Sequence, residues 1–278
     1  MLAVEDVESF LADGFVTVDS LIVPKLIEPL KERFERLFRG EFETGTAPDE
    51  VNWLEERDDP TLTRQICNGW KADRLIASTV LNAHLGEAVA TLAGWPGARI
   101  VQDNVLWKPP GARSLGFHRD NAYLTWYAPT EMFSCWIALD GTVADGGTLE
   151  IARGSHQWPT EADPFGEFHA PDDYRATVTA AAEAVGAALD IAAVEVPAGG
   201  GSFHHGWAWH GSGPNRSDRH RRSLVLHCAS SEARFNRDGF GQGNGPVYSR
   251  YARLTDDEMD ENHFPILWRN DGYRTPGI

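Results

Sequence analysis

Phe117-His118-Arg119-Asp120, followed 92 residues after His118 by Trp209-His210-Gly211-Ser212-Gly213, is the part of this chain whose reading decides its fold. In a β-strand, residues i and i+2 project from the same face, so His118 and Asp120 can reach one metal while Arg119 points away. The third ligand must come from another strand. Ser202-Phe203-His204-His205, entered from the turn Ala198-Gly199-Gly200-Gly201, begins an apolar and aromatic run that leads to Trp209-His210. Two neutral imidazoles and one carboxylate on a single face of an octahedral Fe(II) leave three positions for other ligands. Arg221 follows His210 by eleven residues, placed to hold a bound dianion. The pattern predicts a non-haem iron oxygenase that uses a 2-oxo acid, on a β-fold that brings distant strands together.

Strand parity extends the candidate site. With Arg221 facing a barrel interior, Ser223, Val225 and His227 face it too, while Arg222, Leu224 and Leu226 face outward. His210 and Ser212 share one face, and so do Ser134, Trp136 and Ala138. A buried guanidinium is costly without a partner. A 2-oxo dicarboxylate supplies one: its 1-carboxylate and keto oxygen chelate iron, and its far carboxylate takes the fork of Arg221 and a hydroxyl bond from Ser212. His204 and His205 read as wall or supporting residues, not as ligands, and His156 as the anchor of a turn. Cys135 and Cys228 fall on outward faces, as core thiols.

Composition narrows the partners. A formal charge of −16 on 278 residues argues against nucleic acid, an anionic membrane and other polyanions, and points to a small-molecule substrate. The three cysteines, Cys67, Cys135 and Cys228, are scattered and odd in number, which argues against a disulfide framework. The acidic start Met1-Leu2-Ala3-Val4-Glu5-Asp6 lacks a signal-peptide pattern. The Ala-rich residues 177–196 are interrupted by Glu183, Asp190 and Glu195, so no membrane span is expected there, and a cytoplasmic location is. Monomer and homodimer both stay open.

The whole chain, 1–278, reads as one oxygenase domain with a mainly helical front, 1–97, and a β-rich back. Residues 7–11 are helical, 15–18 alternate as a strand, and 21–39 and 77–92 carry helical spacing, the last stopped by Gly94-Trp95-Pro96-Gly97. Residues 100–108, 132–139, 148–151 and 223–227 read as short strands between Gly and Pro turns, a jelly-roll core over 98–230. Within it, 156–190 is an acidic insert with Pro159, Pro164 and Pro171, expected to be a mobile lid rather than a core element. Residues 231–278 form a C-terminal extension.

Several segments resemble the phytanoyl-CoA dioxygenase family. They are Phe10-Leu11-x-x-Gly14-Phe15-Val16-x-Val18, Trp107-Lys108-Pro109-Pro110-Gly111, Phe117-His118-Arg119-Asp120, Trp136, Gly147-Thr148-Leu149-x-Ile151-x-x-Gly154-Ser155-His156 and His210-Gly211-Ser212-Gly213-Pro214-Asn215. The resemblance runs from about residue 5 to 230 and implies a mainly β fold with flanking helices, the double-stranded β-helix or jelly roll. It also implies iron(II) at His118, Asp120 and His210, and 2-oxoglutarate at Ser212 and Arg221, with Trp136 and Lys108 beside them. Molecular oxygen would be the oxidant and ascorbate an activator in vitro. Lys108 stands out independently, as one of four lysines against 21 arginines.

The family's founding activity is on an acyl-CoA, whose phosphates want a basic groove that this chain lacks. Aromatic residues Tyr123, Trp126 and Tyr127 after the metal motif, with Trp207 and Trp209 near His210, suit a ring-bearing small molecule; Tyr123, Trp126 and Trp207 are the substrate-wall candidates. Arginine-rich, lysine-poor usage suggests a GC-rich bacterial genome, whose family members tailor secondary metabolites such as antibiotics. The expected outcome is hydroxylation of an unactivated C–H bond. Oxidative cyclisation, desaturation or epimerisation of a polyketide-like product is the alternative at the same site. A metal-binding jelly-roll isomerase or binding module is the alternative of a different class; neither needs a buried cation for a second carboxylate, so Arg221 and Ser212 discriminate.

Overall fold

The computed structural model describes residues 2–160 and 166–278. Its helices are α1 (Val4–Asp13), α2 (Ile27–Phe38), α3 (Arg74–Val80), α4 (Ala83–Ala93), α5 (Ala176–Val185) and α6 (Gly245–Tyr248). The 21–39 helix starts later than its apolar spacing suggests. Pro24, which lacks an N–H, opens a tight 3-10 turn (Pro24–Leu26), and α2 begins after it. The expected 77–92 helix is two, because the Asn82 side chain accepts from His84 N–H and starts α4 as its cap. Taken as one segment, Arg74–Ala93 is long and apolar enough to cross a membrane. Half of it is buried in the protein, and the break at Asn82 divides it.

Early strands are β1 (Phe15–Val18), β2 (Glu50–Val51), β3 (Arg64–Cys67), β4 (Gly97–Lys108), β5 (Leu115–His118), β6 (Tyr127–Ala128) and β7 (Phe133–Ala138). Later ones are β8 (Glu150–Ala152), β9 (Ile191–Ala193), β10 (Gly201–His205), β11 (His210–Ser212), β12 (Arg221–Ser230), β13 (Arg234–Phe235) and β14 (Ile266–Arg269). A large antiparallel sheet runs β1-β10-β7-β12-β4-β3-β2, with β14 added to the start of β4. A smaller sheet, β5-β11-β8-β9, faces it. Two antiparallel sheets enclosing one core are the double-stranded β-helix expected from the sequence.

Side-chain alternation sorts the large sheet into two faces. Cys135, Ile137, Leu224, Leu226 and Cys228 join Leu30, Phe34, Ile76 and Val89 of the helices in the main core. Trp136, Ala138 and Val225 pack inward with Leu149 and Ile151 of the smaller sheet's side. The parity expected for β7 and β12 is therefore the parity observed.

Two segments carry more structure than expected from the sequence, and a third, the insert, departs from that expectation. The front part is mainly helical, and within it β2 and β3 extend the large sheet along β4. The C-terminal extension is structural: β14 pairs with Ala98 and Arg99, and Tyr248 and Phe264 build a separate core with Trp126. Within the insert, α5 is a core element. Val178 and Ala181 bury against Phe117, Ala152 and Trp209, because an Ala-rich helix lies close against a sheet. Pro164 lies outside the described residues.

Candidate active site

His118 ends β5, and Arg119 keeps an extended backbone (φ −114°, ψ 124°) for one residue more. Asp120 therefore stays on the same side as His118, although it opens a 3-10 turn (Asp120–Ala122) instead of continuing the strand. Arg119 turns away into the protein, its guanidinium donating to the Ser155 carbonyl at 2.9 Å. His210 opens β11 directly opposite His118, and the two rings lie 4.2 Å apart.

The three side chains converge. Asp120 Oδ1 is 3.4 Å from His118 Nε2 and 3.5 Å from His210 Nε2, and one ligand atom from each residue lies within 4.8 Å of the others. Each imidazole is fixed by its other nitrogen: His118 Nδ1 bonds the Gly116 carbonyl at 3.0 Å and His210 Nδ1 the Ala208 carbonyl at 2.9 Å. A carbonyl only accepts, so both Nδ1 atoms carry hydrogen and both Nε2 lone pairs point at the shared space. Burial lowers the pKa of His118, aided by its neighbour His210. Burial would also lower His210, but Asp120 outweighs it and the net shift is upward. At Asp120 burial favours the neutral acid, yet the surrounding imidazoles, His210 and His227 before His118 and His204, hold the carboxyl well below its usual range. A carboxylate between two aimed imidazoles can hold one divalent metal ion.

Beside it lies a pocket for an anion. Arg221, first residue of β12, sits opposite Lys108, last residue of β4. The Arg221 guanidinium donates to the Gly147 carbonyl (3.0 Å) and Ser223 Oγ (2.9 Å) and lies 5.9 Å from the Trp136 ring centroid. Among the described residues it has no carboxylate partner, and burial lowers its pKa to about 10. Ser212 Oγ is buried and has no hydrogen-bond partner among the described residues. Arg221, Ser212 and Trp136 line one cavity together with His118, Asp120 and His210. An unanswered cation and a free hydroxyl beside a metal-ligand set fit a chelating dicarboxylate.

Lys108 departs from the expectation. Its Nζ donates to the Gly213 carbonyl (2.5 Å) and the Ser212 carbonyl (3.2 Å), and it lies outside the cavity lining. Burial, then the charge of Arg221, drives its pKa well below the ordinary lysine value. A strand-end lysine with carbonyls in reach spends its hydrogens on them, so it holds the β11 exit.

Of the substrate-wall candidates, Tyr123 lines the outer cavity above the ligands. Trp126 does not. It is fully buried, stacked on Tyr248 at 4.5 Å, with its indole N–H on Asn244. Trp207 is also outside the lining and lies near Arg119, 6.0 Å from its guanidinium. His204 is at the site as a wall residue, Nε2 3.7 Å from Asp120 Oδ2, whereas His205 faces Glu131. His156 bonds the Leu11 carbonyl in a turn. Sequence reasoning missed Gln65, Gln102, Asn104 and Phe168, all lining residues. Gln102 and Asn104, two amides at i, i+2 within an apolar strand, were the readable signal.

A double-stranded β-helix with two imidazoles and a carboxylate at one mouth, beside a buried arginine, defines a non-haem oxygenase fed by a 2-oxo acid. Residues 10–223 match the family model described as phytanoyl-CoA dioxygenase (PhyH), and the chain belongs to that family. A probable alpha-ketoglutarate-dependent hypophosphite dioxygenase from Stutzerimonas stutzeri is 25% identical over 236 residues, 82% of this chain and 79% of that one. Among solved structures, the non-heme alpha ketoglutarate dependent carbocyclase SnoK from nogalamycin biosynthesis superposes with a TM-score of 0.72. It is 21% identical over 96% of this chain and 97% of its own. The epimerase SnoN, in complex with Fe3+, alpha ketoglutarate and nogalamycin RO, gives 0.71 at 16% identity, over 95% and 98%. The chain is thus a non-haem, 2-oxoglutarate-dependent oxygenase, and the isomerase and binding-module readings fall away.

Proposed function

We propose that this enzyme removes hydrogen from an unactivated C–H bond of a small, non-CoA, ring-bearing metabolite and hydroxylates it. In this reading the whole chain acts as one oxygenase domain. His118, Asp120 and His210 would hold the iron, and Arg221 and Ser212 would bind the far carboxylate of 2-oxoglutarate against Trp136. Lys108 would act from behind, holding the Ser212-Gly213 backbone in place. The iron, with molecular oxygen and 2-oxoglutarate, would supply the oxidising equivalent, with ascorbate as the reductant that rescues idle enzyme in vitro. The observation that carries the reading is the buried Arg221, which among the described residues has no carboxylate, beside the Ser212 hydroxyl, which has no hydrogen-bond partner among them, in the cavity that the metal ligands also line.

The substrate would sit in the outer cavity, about 390 Å³, which meets the inner one at His118 and Asp120. Phe168 stands edge-on to the His118 ring at 4.7 Å and, with Tyr123, offers the aromatic surface. The opposite wall is carboxamide: Asn52, Gln65, Gln102, Asn104 and Asn244, with Glu50 among them. No lysine or arginine lines this outer cavity among the described residues, so it offers no cation to a CoA phosphate or to a small inorganic anion. Amides that both donate and accept suit a substrate with hydroxyl groups around its ring.

The similar solved structures include a carbocyclase and an epimerase, so product mass is the readout that separates the outcomes. Succinate release from 2-oxoglutarate with Fe(II) and candidate metabolites would be followed by mass spectrometry. A product with one added oxygen supports hydroxylation; loss of two hydrogens means cyclisation or desaturation, and unchanged mass means epimerisation. No succinate under any condition would sink the proposal.

A further inference from the structure

A continuous line of hydrogen bonds crosses the inner wall and ends on Asp120. Trp126 Nε1 meets Asn244 Oδ1 at 2.9 Å, and Asn244 Nδ2 meets Gln102 Oε1 at 3.0 Å. Gln102 Nε2 meets Asn104 Oδ1 at 3.0 Å, and Asn104 Nδ2 meets His227 Nε2 at 2.9 Å. His227 Nδ1 then meets Ser134 Oγ at 2.8 Å, and Ser134 Oγ meets Asp120 Oδ2 at 3.2 Å.

The direction of this line is fixed at both ends. An indole N–H can only donate, so Asn244 must turn its oxygen to Trp126 and its NH2 to Gln102. The same logic orients Gln102 and Asn104, leaving an Asn104 N–H aimed at His227 Nε2. That nitrogen must accept; a hydrogen on it would oppose two donors at 2.9 Å. His227 therefore carries its hydrogen on Nδ1 and gives it to Ser134, whose own hydrogen is left for the Asp120 carboxylate. The far end, a carboxylate, can only accept. Six consecutive bonds agree in sense with no conflict.

We propose that this line is a positioning device: it donates to Asp120 Oδ2, holds that oxygen off the metal, and leaves Oδ1 alone to bind. Oδ1 is the oxygen facing both ligand imidazoles, and Oδ2 the one bonded by Ser134, with His227 Nδ1 3.6 Å and His204 Nε2 3.7 Å away. Ser134 and His227 are then positioning residues. Gln102, Asn104 and Asn244 carry the same line through the substrate wall, so a substrate hydroxyl bonding them acts on the metal carboxylate without touching it. The inference rests on the reading of His118, Asp120 and His210 as the metal site.

The test uses the full-length, metal-free protein and Co(II), followed by visible absorption. Wild type should bind one Co(II). Ser134→Ala, which removes only the last donor, should weaken Co(II) by about tenfold to hundredfold and change the absorption bands as Oδ2 becomes free to coordinate. Selective 15N labelling of histidine should find His227 protonated on Nδ1 in the metal-free wild type, and Asn104→Leu should release that preference. Wild type that binds no Co(II) overturns the metal site itself. Wild type that binds while Ser134→Ala keeps its affinity within about twofold and its spectrum unchanged overturns the positioning line alone. His227 protonated on Nε2 in the wild type also overturns it, whether or not Ser134→Ala folds.

Discussion

Arg221→Ala should raise the 2-oxoglutarate concentration needed for half-maximal turnover by about 30-fold to 150-fold, with little change in the Fe(II) requirement. Removing one partner of a buried, hydrogen-bonded charge pair costs about 2–5 kcal/mol. The lower part of that range applies here. Lys108 lies opposite Arg221 on β4, with its charge suppressed partly by Arg221. With Arg221 gone that repulsion is relieved, and Lys108, behind the pocket and outside its lining, still attracts the carboxylate through space, so the loss is about 2–3 kcal/mol, each 1.4 kcal/mol being tenfold. Arg222→Ala is the control, because Arg222 lies on the opposite face and pairs with Asp140 at 3.0 Å. The assay is succinate formation against 2-oxoglutarate concentration at saturating Fe(II). A shift below about threefold for Arg221→Ala, or a larger one for Arg222→Ala, refutes the assignment of the anion pocket.

Other outcomes follow from named contacts. His118→Ala should abolish metal-dependent succinate formation while leaving the melting temperature of the metal-free protein nearly unchanged; an active variant removes His118 from the ligand set. Asp103 is buried with its pKa raised from 3.8 to about 7, because burial outweighs the bonds it accepts from the Trp70 and Gly69 amides. The folded state thus holds a proton the unfolded state has lost, and stability falls as pH rises from about 4 to 7 by at most about 4 kcal/mol. Asp103→Asn should flatten that decline, so its stability relative to wild type should rise with pH in urea titrations; parallel curves would disprove the burial argument. A Cβ at Gly116 would collide with the Glu167 carbonyl oxygen, a backbone atom that moves only with its segment. Gly116→Ala should therefore push the strand-like stretch around Phe168 off β5 and uncouple 2-oxoglutarate consumption from product, and normal coupling would count against Phe168 as part of the substrate wall.

Parity made much of this site readable. Wherever a strand separates the helix-side core from the cavity, as at β7 and β12, each side chain's face follows from its odd or even place, and Trp136, Arg221 and His227 fell correctly. Parity fails where a strand is too short to show a period. β2 has two residues and β3 four, so the front of the chain reads as helical although both extend the sheet. It fails again for aromatics, since an indole in a cavity wall and one in a core have the same hydrophobicity. Trp126 reads as a wall residue, but the core it enters is supplied by Tyr248 and Phe264, more than a hundred residues away in the chain. Lys108 was legible as unusual, but not its partners: carbonyls carry no sequence signal.

The irregularity in β4 has a consequence for how such an enzyme can diversify. Against β12, His227 pairs with Gln102 and Cys228 with Ile100, so Val101 is an extra residue. Beyond that bulge, Gln102, Asn104 and Leu106 line the cavities and Lys108 follows at the same parity, opposite Arg221; before it, Ile100 belongs to the helix-side core. A single inserted or deleted residue after Val101 would send all four to the wrong side at once. Lineages descending from this scaffold must therefore reshape the cavity through exchanges at fixed positions along β4. Changes in chain length are left to the turns that leave the strand at Pro109 and to the segment that carries Phe168.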